Sequence, residues 1–149
     1  MIGKLKKLLL SDQAYAQSAA DPEERQQLAL AALLVEMARA DFDESPDEHA
    51  EIERVLAEHF GLSETEAADL LLRAAKAMDE SVSLFDFTRA LHTSLDFQQK
   101  QEVIRLLWTI ALADSRLDKY EDYLVRKVAD LLYVPNSDVV RIKHEVAAL

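Results

Sequence analysis

Apolar residues recur three and four positions apart along most of this chain, the spacing that places them on one stripe of an α-helix. Leu30, Leu33, Leu34 and Met37 form one such set. Ile52, Val55, Leu56 and Phe60 form a second, and Val103, Leu106, Leu107, Ile110 and Ala111 a third. Start and stop signals bracket these stripes. Asp21-Pro22-Glu23-Glu24 offers an N-cap acceptor, a proline at the first helical position and acids near the positive helix end. A helix is therefore expected from there to about Arg39. Ser45-Pro46-Asp47-Glu48 is a capping box whose helix should stop at Gly61, a left-handed cap. Ser63-Glu64-Thr65-Glu66 is another box, opening a helix rich in Ala and Leu that ends near Met78. Ser83-Leu84-Phe85-Asp86 opens a shorter one through Leu91. Further helices are expected from near Asp96, from Asp118-Lys119-Tyr120-Glu121 to near Tyr133, and from Asn136 as a cap through Val146. No window alternates with period two, so no strand is expected. The pattern predicts an all-α protein, a single helical bundle of about seven or eight helices.

One segment occurs twice. Ala40-Asp41 followed by Glu48 reappears as Ala113-Asp114 followed by Glu121, at a constant offset of 73 residues. The flanks match without a gap: Leu34 with Leu107, Met37 with Ile110, Ala38 with Ala111, Ile52 with Val125, Val55 with Val128. Ser63 and Asn136 keep a helix-capping residue. Repetition at a fixed offset predicts two pseudo-symmetric helical-hairpin repeats, about 23–63 and about 96–136, within one domain spanning residues 1–149. Each hairpin carries an acidic turn between its helices.

Residues 1–10 form a different pattern. Ile2, Leu5, Leu8 and Leu9 share one helical face and Lys4, Lys6 and Lys7 surround the other, while Ser11 to Ala20 are small and polar, as in a linker. The apolar run is too short for a signal peptide and no small-residue cleavage site follows. The segment is expected to dock on the domain core. The sharper alternative is peripheral contact with a membrane or a partner, since basic amphipathic helices favour anionic surfaces.

Charge narrows the partners. The chain carries 28 acidic against 17 basic residues, a net charge of −11. A nucleic-acid backbone would be repelled, so no nucleic-acid partner is expected, and a cation or a basic protein surface suits the chain better. There is no cysteine, which excludes disulfides, zinc–thiolate sites and cysteine nucleophiles and fits a cytoplasmic protein. The only glycines are Gly3 and Gly61, so no glycine-rich phosphate loop exists.

The candidate chemistry lies in the two acidic turns. Asp41, Asp43, Glu44, Asp47 and Glu48 crowd one, and Asp114, Asp118, Glu121 and Asp122 the other. Hard cations such as Ca²⁺, Mg²⁺ or Mn²⁺ take several converging carboxylate or carbonyl oxygens. The plain alternative is structural, with Glu48 and Glu121 acting as capping-box members and Asp41 and Asp114 bonding turn amides. Neither turn is an EF-hand: from Asp41 the glycine position holds Pro46 and the bidentate-Glu position Ile52, and from Asp114 they hold Lys119 and Val125. His49, His59, His92 and His144 lie in no zinc or di-iron motif, and only His49 stands beside an acidic turn. Trp108, Phe85, Phe87, Phe97, Tyr120 and Tyr123 fall at core or rim spacings. Nothing in the pattern points to an enzyme.

The twofold pattern of a helix ending in Ala-Asp, a short acidic turn and a Glu opening the next helix resembles the tellurite-resistance protein B (TerB-like) family. Glu36-Met37-Ala38-Arg39-Ala40-Asp41 with Glu48, and Ile110-Ala111-Leu112-Ala113-Asp114 with Asp118 and Glu121, carry the likeness, which spans about Arg25 to His144. The resemblance implies a bacterial, all-helical, pseudo-symmetric domain that binds rather than catalyses. It also implies a link to tellurite resistance and other stress responses, and to divalent-metal-linked signalling complexes in the cytoplasm, in places at the periphery of the inner membrane. The implied metal residues are Asp41, Glu48, Asp114, Asp118 and Glu121. Phe42 and Ser115 stand where the family usually has glycine, and Ser45 stands opposite Asp118, which implies weaker binding or binding confined to one copy. The second reading is a metal-free adaptor docking a basic protein partner through its acidic face.

Overall fold

The computed structural model describes residues 21–39, 46–80, 84–113 and 119–149, with side chains from residue 49 onward in the second of these stretches. The expected helix and linker of residues 1–20 and the turns at 41–45 and 114–118 lie outside the described residues. Helix α1 (Pro22–Arg39) begins where Asp21 Oδ1 accepts from the Glu23 amide at 3.0 Å. Helix α2 (Pro46–Phe60) opens on its proline, buries Ile52, Val55 and Leu56, and leaves Phe60 half-buried. It stops at Gly61 in the left-handed region (φ 66°), where the Leu62 amide donates back to the Ala57 carbonyl at 2.9 Å. Helix α3 (Glu64–Glu80) starts from a reciprocal box: the Glu66 amide donates to Ser63 Oγ and the Ser63 amide to Glu66 Oε1, both at 3.1 Å.

Helix α4 (Phe85–Ser94) outruns its expected end at Leu91 by one turn, and in that turn the Thr93 and Ser94 hydroxyls bond back to the Arg89 and Ala90 carbonyls. Helix α5 (Phe97–Ala111) has a full capping box between Asp96 and Gln99. Among the described residues, helices α6 (Lys119–Leu131) and α7 (Asn136–Ala147) complete a set of seven, and no strand occurs.

Helix α1 is the hub. It packs against α2, α3, α4 and α5, while α5 also packs against α2, α6 and α7. From Ala29 to Val35 every residue of α1 is buried, an all-round apolar surface for a central helix. The four alanines of its inner part, Ala29, Ala31, Ala32 and Ala38, let neighbours approach closely. Trp108 and Phe87 are the largest fully buried side chains, and the Trp108 indole N–H donates to the Val139 carbonyl at 3.1 Å, tying α5 to α7.

Two expectations at the end of the second hairpin need correction. Helix α6 stops at Leu131, not Tyr133, and Tyr133 itself adopts the left-handed conformation (φ 59°). The Val134 amide then reaches back to Ala129 O at 2.8 Å, as Leu62 does to Ala57. The left-handed residue therefore falls 72 residues after Gly61, not 73. A helix start two residues beyond such a stop follows in both places, so the N-cap of α7 is Pro135, which makes no side-chain cap bond, and Asn136 is the first helical residue. Its Oδ1 accepts from Arg126 Nη1 at 2.8 Å instead. Helix α1 packs against α2 and α3, and α5 against α6 and α7.

Candidate functional site

Of the five sequence-derived metal candidates, Glu121 is the one whose side chain falls among the described residues. Glu48 is placed by its backbone in the first turn of α2, and Asp41, Asp114 and Asp118 lie outside the described residues. Among the five candidate carboxylates the described side chains thus include that of Glu121 alone.

Glu121 occupies a core position. It sits in the first turn of α6, three and four residues ahead of the buried Leu124 and Val125, and is only 1% exposed. Among the described residues it is the one acid buried to this degree. A carboxylate so far from water must be compensated by donors or cations, and the positive end of its helix supplies part of that field. In the sequence, Asp118 lies three residues before it and Asp114 seven. Its neighbour Asp122 is committed to bases: Arg126 Nε bonds Oδ2 at 3.0 Å, and Lys143 Nζ lies 3.6 Å from Oδ1. On the outer face Tyr120 and Tyr123 are exposed, their ring centroids 6.1 Å apart, with Lys127 Nζ 5.8 Å from the Tyr123 ring.

The acids flanking the first turn are arranged differently. Glu36, half-buried in α1, has its pKa raised by desolvation against an opposing pull from Arg39. Arg39 Nη1 pairs with Asp79 Oδ1 at 2.7 Å and ties the end of α1 to α3. On α2, Arg54 bonds both Glu51 and Glu58, which hold its guanidinium still further above its ordinary range. Asp79, Glu51 and Glu58 are thus committed to ion pairs with Arg39 and Arg54.

The histidines form no cluster. His49, His59 and His144 are exposed. His92 has its Nδ1 2.7 Å from Lys100 Nζ, which makes that nitrogen the acceptor, and Tyr133 stacks at 4.8 Å on its ring. Among the described residues no group of three or more His, Asp or Glu could hold a metal ion. No described helix is long and apolar enough to cross a membrane.

The burial of Glu121 was within reach of the sequence, since 121, 124, 125 and 128 follow the helical stripe of α6. Its place three residues after Asp118 equally fits a capping box, which would leave the carboxylate at the surface. Comparison with curated proteins and with solved structures gave no match. A family model described as tellurite resistance protein TerB matches residues 27–144.

Proposed function

The chain belongs to the tellurite resistance protein TerB family, and on that premise we propose that it is a non-catalytic binding module that responds to a divalent cation through its acidic turns. The observation that carries this reading is the Glu121 carboxylate, buried in the first turn of α6, three residues after Asp118 in the sequence. Carboxylate oxygens are hard donors, suited to Ca²⁺, Mg²⁺ or Mn²⁺. Glu121, Asp114 and Asp118 would hold the ion in the second hairpin, with Asp41 and Glu48 as the counterpart set in the first. An ion there would offset the mutual repulsion of these acids and draw the end of α5 and the start of α6 together. The module would thereby report cation level to a partner, in a setting of tellurite or other stress.

The test is an amide-resolved NMR titration of chelator-treated protein with Ca²⁺, Mg²⁺ and Mn²⁺, repeated on Asp41→Asn and Asp114→Asn. Saturable shifts around residues 113 and 119–122, lost in Asp114→Asn, are the expected result. Parallel thermal melts should rise with the ion, because a ligand bound only by the folded state stabilises it. Absence of saturable shifts at millimolar ion would sink the cation reading. The net charge of −11 would then favour an adaptor that docks a basic protein surface, seen as salt-sensitive association.

A further inference from the structure

A recess of about 220 Å³ opens at the end of the bundle where α1 begins. Its apolar wall is made by Leu30, Phe60, Leu91, Leu95 and Val103, contributed by α1, α2, α4 and α5. Carboxylates stand on its rim, Glu23 from α1 and Glu102 from α5, both exposed. We propose that this groove is the docking site of residues 1–10 of the same chain, whose apolar stripe fills it while their lysines face the rim acids.

Three observations single out this occupant. The first is position: residues 1–20 lead into Asp21, and Glu23 of the groove rim lies two residues further on. Ten residues of chain, counted at roughly 5–6 Å times the square root of their number, reach about 18 Å, ample for a return to a wall that starts beside their attachment point. The second is chemistry. Ile2, Leu5, Leu8 and Leu9 offer an apolar stripe to the apolar wall, and Lys4, Lys6 and Lys7 are 3 of only 17 basic residues in a strongly acidic chain. The third is tethering. A short linker holds the segment at an effective concentration on the order of millimolar, so a groove too shallow to retain a free peptide can still be filled from within the chain. Docking here would also keep the basic amphipathic face from anionic surfaces until it is released.

The chain has no cysteine, so Gly3→Cys in the full-length protein accepts a single nitroxide label. Paramagnetic broadening is then read on the assigned amides. The expected result is that Leu30, Leu91, Leu95 and Val103 lose most of their intensity, that dilution leaves the loss unchanged, and that Leu5→Asp with Leu9→Asp restores the signals. Those two substitutions lie outside the helices described here, so a failure of the bundle to fold does not confound the result. Broadening that fades on dilution would assign the groove to a second copy and overturn the proposal. So would unbroadened groove amides, whether or not the labelled segment then binds vesicles of anionic lipid. None of these readouts depends on the cation reading, which can fail while this one stands.

Discussion

Trp108→Phe tests whether α7 is held to α5 in the way the indole geometry requires. Trp108 is fully buried, donates to Val139 O at 3.1 Å and has Lys143 Nζ 5.1 Å from its ring. Replacement by Phe removes the N–H donor, a net loss of about 1 kcal/mol for an ordinary hydrogen bond. It also leaves a void where the larger ring system sat. An unrelaxed void of roughly 40 Å³ at ~24 cal/mol per Å³ adds about 1 kcal/mol. The weaker attraction of a phenyl ring for the Lys143 ammonium contributes a few tenths more, on the order of half a kcal/mol at most. The expected destabilisation is therefore about 2 kcal/mol, against roughly 3–5 kcal/mol for Trp108→Ala. For a domain of this size that lowers Tm by roughly 4–8 °C. Urea unfolding followed by far-UV circular dichroism is the assay, because Trp108 is the only tryptophan and the variant loses its fluorescence probe. A loss below about 0.5 kcal/mol would refute the argument. So would solvent-exposed emission and ready acrylamide quenching of Trp108 in the unsubstituted protein.

Two further substitutions probe backbone and charge. Gly61→Ala meets no atom within 4 Å, so its cost is that of a left-handed non-glycine residue, about 1–2 kcal/mol in a denaturant melt. Glu145 bonds Arg105 and Arg141, which hold its carboxyl below the usual carboxylate range. Its folded pKa is lowered, so the stability it contributes is present above its unfolded pKa and disappears as pH falls through the folded value. Melts from pH 6 into the acid range should accordingly show a smaller acid-limb decline in Glu145→Gln than in the unsubstituted protein, and added salt should shrink the difference.

The sequence announces helix ends best where a single residue or a local box decides them. Asp21 with Pro22, Gly61, and Ser63 with Glu66 act within four residues of one another, so spacing alone locates α1, the stop of α2 and the start of α3. Tyr133 was opaque for the opposite reason. Nothing in a tyrosine advertises a positive φ, yet Tyr133 takes one just past the end of α6, between the buried Leu132 and Val134. The shift of the α7 cap from Asn136 to Pro135 follows from that stop. Pairs such as Arg39 with Asp79 and Arg105 with Glu145 join distant helices and leave no spacing signature. Of the candidate site, the sequence shows which acids are repeated. The depth of Glu121 depends on what packs over α6, and the apolar groove is assembled from four helices far apart along the chain.

The central place of α1 sets the order in which this protein can mature. Its inner half is apolar on every side, yet its last partner, α5, ends at Ala111, 72 residues after Arg39. At roughly 5–20 residues per second, translation leaves that helix without its complete set of neighbours for about 4–14 s. During that interval the nascent chain exposes one of the most aggregation-prone surfaces it will ever present, so the demand for chaperone cover falls on the first third of the polypeptide rather than on its end.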